Sequence, residues 1–309
     1  YISFQPSDFF NTLLWTGNNT DARSITGVGF QPDVAWIKQR DGGNSFCYTD
    51  NVRGPNNKIA TNDNSDNDTA TNSVQAFNSD GFTVGTNTEV NGNTNTYVSW
   101  NWKAGTTVVP SGGTITPSAV SINTTSGFGI YKYTGTGSGA TVAHGLGTTP
   151  DVVWIKNLTR NANWAVYSPY IVASNGGVAN TTWMVLNTDV AQQSNDSGRW
   201  NNTSPTSTTF SVGVSYDQNN RDGDEYMAYV WTPIKGYSAL SNYTGNGNAD
   251  GPFIYTGFRP AYILIKNTEA VKNWQIYDNK RSGYNKDNDQ LFANTTAVED
   301  TAEDALDIL

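Results

Sequence analysis

One apolar strand is written three times in this chain. It reads PDVAWIKQR at 32–40, PDVVWIKNL at 150–158 and PAYILIKNT at 260–268. Its surroundings repeat with it. WTGN (15–18), YTGT (133–136) and YTGN (243–246) each begin 18 residues before Asp33, Asp151 and Ala261. Phe46, Trp164 and Trp274 each follow Trp36, Trp154 and Leu264 by 10 residues, and Thr49, Tyr167 and Tyr277 come three residues later. DNVRG (50–54) returns as DNKRS (278–282), with SPYIV in the middle copy, and YVSWNWKAG (97–105) returns as YMAYVWTPIKG (226–236). Steps of 118 and 110 residues between copies are the size of a domain and far exceed a solenoid rung.

Each copy reads as short strands joined by turns. DVAWIK is apolar on both faces, so it predicts a central strand covered on both sides. YVSWNW alternates, with Val98, Trp100 and Trp102 on one face and Ser99 and Asn101 on the other, which predicts a half-exposed strand. Helical periodicity is nearly absent, and TAEDALDIL at the end is the one segment expected to form a short helix. The fold class expected is all-β: tandem antiparallel β-sandwich modules of jelly-roll or lectin-like type at 1–110, 111–235 and 236–309. The third is expected to be incomplete. Module 1 takes 64 residues from Trp36 to Trp100, whereas Leu309 comes 45 residues after Leu264. Its closing strands are expected from chain beyond residue 309 or from another chain, since unpaired strand edges invite aggregation.

Composition narrows the function. Charged residues are 15%, and the 10 Trp, 16 Tyr and 12 Phe are more aromatics than a disordered chain carries. A net charge of −9 with no basic stripe argues against nucleic-acid binding. No apolar run is long enough for a membrane helix, so no membrane insertion is expected. The single cysteine, Cys47, excludes an intramolecular disulfide framework and reads as a small packing residue.

No catalytic constellation stands out. The lone His144 sits in a turn without a second histidine as base or ligand partner, and reads as structural. Asp50 with Arg53, and Asp278 with Arg281, read as local ion pairs that pin a loop. Asn- and Asp-rich NDNSDND (62–68) and the acidic DGDE (222–225) offer oxygens for calcium, with Asp222, Asp224 and Glu225 as the ligand set, yet the same compositions make ordinary turns. No cofactor is expected. SGRWNNTS (197–204) places Arg199 and Trp200 in a polar loop that module 1 lacks. Trp200 there is either a stacking platform for a sugar ring, with Arg199 beside it for hydroxyls, or a ring folded back over its own sandwich.

The stretches GFQPDVAWIKQR, DNVRG, FNSDGFTVG, TYVSWNWKAG and YTGNGNADGPFIYTGFRPAYILIKN resemble modules in structural proteins of tailed, often marine, bacteriophages, usually labelled tail fibre or tail protein. The resemblance runs from about Trp15 to Leu309 and is best in the last module, including its acidic AEDALDIL segment. It implies a virion protein assembled in the host cytoplasm, with other virion proteins as partners, and brings no catalytic or ligand residues. The resulting expectation is a non-enzymatic tail-fibre or receptor-binding subunit that contacts host-surface glycan and trimerises about an axis. A capsid decoration, a polysaccharide-degrading spike and a cellular surface adhesin are the alternatives. A spike would need two carboxylates in a groove, to be drawn from Asp217, Asp222, Asp224 and Glu225.

Overall fold

The computed structural model describes residues 3–171, 178–214, 216–283, 289–302 and 305–309. The first module contains β1 (Phe10–Thr16), β2 (Arg23–Thr26), β3 (Val34–Gln39), β4 (Cys47–Asp50), β5 (Asn57–Lys58), β6 (Asp68–Thr69), β7 (Val74–Asn78), β8 (Gly81–Val84), a four-residue helix α1 (Thr88–Asn91) and β9 (Thr96–Trp102). The second contains β10 (Ala119–Asn123), β11 (Phe128–Thr134), β12 (Ala140–Ala143), β13 (Val152–Asn157), β14 (Ala165–Tyr167), β15 (Met184–Val185), β16 (Thr209–Val212) and β17 (Glu225–Trp231). The third contains β18 (Tyr262–Ile265), β19 (Gln275–Asp278) and β20 (Leu291–Phe292). Every named strand ladder is antiparallel, and the chain is all-β with sandwich-type packing.

The repeated strand sits where its composition predicts. In module 1 it is β3, inside the sheet β1-β9-β3-β4, and in module 2 it is β13, inside β10-β11-β17-β13-β14-β15. All six residues of β3 are buried. Alternation sends Ala35 and Ile37 outward, against Phe82 and Val84 of the sheet β2-β8-β7. Val34 and Trp36 point the other way, into a larger core that all three modules share. That core gathers Trp36, Trp100 and Trp102 with Trp154, Trp164 and Tyr229 of module 2 and with Trp274 and Ile276 of module 3. The Trp36 and Trp154 rings meet edge to face at 5.8 Å, and Trp102 lies 5.6 Å from Tyr262. β9 departs from expectation on its other face, which it shares with Ala35 and Ile37 under the sheet β2-β8-β7. Ser99 and Asn101 are fully buried rather than solvent-facing.

Hydrogen bonds close the three modules into a ring. The Trp164 indole of module 2 donates to the Ala60 carbonyl of module 1 at 2.9 Å, and the Trp274 indole of module 3 donates to the Val185 carbonyl of module 2 at 2.9 Å. Phe46 cannot donate at the matching place. There the Trp36 indole reaches Thr61 Oγ1 at 3.2 Å, and Thr61 donates to the Ala293 carbonyl of module 3 at 3.0 Å. The repeated lysines follow the same order. Lys38 Nζ donates to the Thr296 carbonyl at 3.3 Å, Lys156 to that of Asn64 at 3.2 Å and Lys266 to that of Asp189 at 3.2 Å. Each lysine also caps carbonyls of its own loop, Gln39 and Gly42, Ala162, and Asn267 respectively. Those bonds make a buried ammonium tolerable at the junction.

The terminal helix does not form among the described residues of its segment, Thr301, Ala302 and Ala305–Leu309. Tertiary bonds hold the approach to it extended. Glu299 takes a 2.6 Å ion pair from Arg40 and one of 2.9 Å from Arg281, and the backbones of Asp300 and Gln290 pair with each other. Ile308 is then buried at 2% exposure.

Burial pulls the ammonium groups of Lys38 and Lys156 down to about 8. Unfolded lysines titrate near ~10.4, so above pH 8 the unfolded chain holds more protons and stability rises with pH. Cys47 and the buried tyrosines Tyr48, Tyr131, Tyr133, Tyr229 and Tyr262 act oppositely, because burial raises their pKa and the unfolded chain loses protons first. Thermal unfolding followed against pH is therefore expected to show Tm climbing from pH 8 to about 9 and falling above about 10. The double substitution Lys38→Met with Lys156→Met should flatten the climb, and an unchanged slope would refute this assignment.

Candidate functional site

The loop with Arg199 and Trp200 is set by local turns. Arg199 N–H is held by the Asp196 carbonyl and carboxylate, and Asn201 and Asn202 take positive φ of 51° and 48°. The turn carries Trp200 inward to 2% exposure. Its ring meets Tyr167 edge to face at 5.5 Å within the outer core of module 2, and Nε1 donates to the Thr182 carbonyl at 2.9 Å. Arg199 is 4% exposed, with its guanidinium 3.7 Å from the centre of the Trp183 ring and 4.3 Å from that of Tyr216. It donates to Gln218 Oε1 at 2.8 Å and pairs with Asp196 at 3.3 Å. Neither side chain is open to a sugar ring. The glycan-stacking expectation for Arg199 and Trp200 is corrected accordingly: the loop plugs module 2, because its indole gains more from the core than from water.

The acidic cluster is not gathered around a metal. Asp224 is 3% exposed, and its carboxylate takes two bonds from Arg160, at 2.5 and 2.8 Å, and one from Asn157 at 2.8 Å. The Arg160 bond holds its pKa below the usual carboxylate value against the opposing effect of burial. Glu225 reaches Lys132 at 2.9 Å, Asp217 pairs with Arg221 at 2.9 Å, and Asp222 is exposed. Among the described residues no three His, Cys, Asp or Glu side chains are placed to share an ion. The calcium alternative at Asp222, Asp224 and Glu225 is thereby corrected, since cations of the chain itself occupy two of the three. NDNSDND serves the junction instead, its Asn64 carbonyl accepting from Lys156 and from the Ala162 N–H of module 2.

The other singled-out residues serve the fold. His144 is fully buried, its Nδ1 accepting from Leu146 N–H at 3.1 Å and its Nε2 facing the Thr206 carbonyl at 3.1 Å. That pattern fixes the neutral tautomer with hydrogen on Nε2, and burial lowers its pKa. Burial pushes the Cys47 thiol up to about 12, which leaves it unreactive. Asp50 and Arg53 form the local pair expected, at 2.6 Å, as do Asp278 and Arg281 at 2.6 Å. Both aspartates also bond across a junction. Tyr229 donates to Asp50 at 2.7 Å and the Trp100 indole to Asp278 at 2.9 Å.

Sequence reasoning missed one set of residues. Asn62, Asn187 and Asn294 each accept, through Oδ1, the backbone N–H of the repeated aromatic: Phe46 at 2.8 Å, Trp164 at 2.9 Å and Trp274 at 2.8 Å. They end the short segments KIATN, WMVLN and QLFAN, which share a shape but lie behind loops of unequal length. A cleft of about 330 Å³ opens on the third module, lined by Lys272, Gln275, Gln290, Phe292 and Asp300 among others. Among the described residues its lining holds one carboxylate, Asp300.

Truncating the plug is expected to cost stability. Trp200→Ala should lose about 3–5 kcal/mol in chemical denaturation. Adding calcium in the millimolar range should leave Tm unchanged, because only a ligand that binds the folded state shifts it. A calcium-dependent rise in Tm would restore the metal reading.

A family model described as a domain of unknown function, DUF7483, matches residues 5–309, across all three modules. No curated protein and no solved structure matches the chain. The chain belongs to the DUF7483 family.

Proposed function

We propose that this chain is a structural protein of a tailed-bacteriophage particle, of the tail-fibre type, working by protein–protein packing and not by catalysis. The observation that carries the reading is where the repeated chemistry lies. The lysines, indoles and aspartates that recur between modules are directed into junctions, as Lys156 to Asn64 and Tyr229 to Asp50 exemplify. A chain that devotes its repeated polar groups to holding modules together suits a rigid building element. The resemblance of the module sequences to phage tail proteins supplies the particle. Other virion proteins are the partners on this reading, with assembly in the host cytoplasm.

Contact with host glycan remains part of the proposal only through surfaces other than Arg199 and Trp200. Tyr255 at 83% and Phe253 at 72% exposure, within an Asn- and Gly-rich stretch, favour such a surface. A degrading spike has less support, because Arg160 and Asn157 hold the Asp224 carboxylate while Glu225 and Asp217 each pair with a cation of the chain.

Antibody against the purified chain, applied to particles of a tailed phage that encodes it, should label tails in negative-stain images. Label on heads would move it to capsid decoration, and unlabelled particles would sink the virion reading. Intact chain should also retain host-cell binding after Trp200→Phe and lose it after Phe253→Ala with Tyr255→Ala.

A further inference from the structure

The three junctions between modules share one backbone bond. At each, the residue seven positions after Asp33, Asp151 or Ala261 offers its carbonyl to a neighbouring module. The N–H that meets it lies five positions after Asn294, Asn62 or Asn187 respectively. Glu299 N–H donates to the Arg40 carbonyl at 2.7 Å, Asn67 to that of Leu158 at 3.4 Å and Gln192 to that of Thr268 at 2.8 Å.

The side chains at these places differ. Leu158 packs on the shared core, and Asn67 accepts from Arg53 of its own module at 3.0 Å. Between modules 1 and 3 a charge pair is added. Arg40 Nε donates to both Glu299 oxygens at 3.0 Å, and Nη2 donates to Oε2 at 2.6 Å. Arg281, which holds the place of Arg53, donates to Glu299 Oε1 at 2.9 Å, and Asp289 stands 3.6 Å from Arg40. The Glu299 side chain is 6% exposed. Among the described residues no ion pair crosses either of the other junctions.

Order along the chain gives the pair its task. Modules 1 and 2 are consecutive, as are modules 2 and 3, so a connecting segment keeps each couple together. Modules 1 and 3 are not consecutive and meet only if their surfaces select each other. The backbone bond cannot select, because it is the same at every junction.

We propose that Arg40 and Glu299 are the specificity pair of the ring, assigning module 1 to module 3 and holding the closing junction. Opposite Asn67 or Gln192, Arg40 would lose its carboxylate. Opposite Leu158 or Thr268, Glu299 would keep Arg281 of its own module alone, and a buried charge that loses a partner is costly. Wrong pairings within one chain or between two are disfavoured by that cost. A head-to-tail set of junctions then closes as a ring instead of running on as an open array. This inference rests on the junction geometry and stands apart from the virion reading.

The test uses the full chain, with amide hydrogen exchange as the first readout. Positions 299, 67 and 192 carry the equivalent N–H of the three junctions, so each controls for the others. Arg40→Leu and Glu299→Asn copy the side chains of the junction between modules 1 and 2. Each should lower protection at position 299 at least about tenfold and leave positions 67 and 192 within about twofold. Together they should do no more than either alone, because the pair is lost only once. Arg40→Lys keeps the charge without the two-pronged contact and should give a smaller loss at the same amide. Refolded at rising concentration, the double variant should form at least about three times the multi-chain species that the unaltered chain forms. Four results would each overturn the proposal. They are unchanged protection at position 299, equal losses at all three amides, single effects that multiply in the double variant, and refolding to the same distribution of masses as the unaltered chain.

Discussion

The whole structure depends on burying a two-faced strand. β3 and β13 present apolar side chains alternately to two sides, so one covering layer cannot satisfy them. The second sheet of each sandwich covers one side. Only the other modules can cover the other, and this is why Trp36, Trp154, Trp164 and Trp274 share a single core. A module taken alone would expose a contiguous aromatic face, the kind of surface that drives association. The modules thus behave as parts of one packed unit, consistent with a family model that runs across all three.

Burying that face forces polar groups inside as well. Strand ends, loop carbonyls and indole nitrogens meet at the junctions, and each needs a partner once water is excluded. The chain meets this with side chains that recur with the repeat. Lysine caps carbonyls of the neighbouring module, asparagine takes the N–H before the aromatic ring, and aspartate receives a ring donor while pairing with arginine. Removing one partner from such a set leaves a buried polar atom unsatisfied, which costs about 1–3 kcal/mol. Directional bonds of this kind also fix which module meets which, a choice that an apolar core alone leaves open.

Much of the candidate site could not be read from the sequence, for a physical reason. Arg199 and Trp200 sit in a polar loop, and a tryptophan among asparagines has two outcomes that differ only in which way a turn points. The positive φ at Asn201 and Asn202 and the bond to Thr182 turn it inward. The DGDE carboxylates have the composition of a calcium loop, yet Arg160 lies 64 residues from Asp224 in sequence and claims it in space. By contrast, Asp50 with Arg53 and Asp278 with Arg281 are three residues apart, so their pairing was legible in the spacing.

By itself the sequence determined the repeat, the all-β class and the burial of its recurrent strand on both faces, because alternation and spacing are local properties of the chain. It did not determine that the second face is covered by the other modules, nor that Ser99 and Asn101 are buried on the opposite face, under the module's own second sheet. It also did not determine that the terminal AEDALDIL segment forgoes a helix in its described residues. Those outcomes depend on bonds between residues as distant as Arg40 and Glu299 or Lys38 and Thr296. Only the tertiary structure decided them, because burial and hydrogen bonding across a junction exist only once the modules have met.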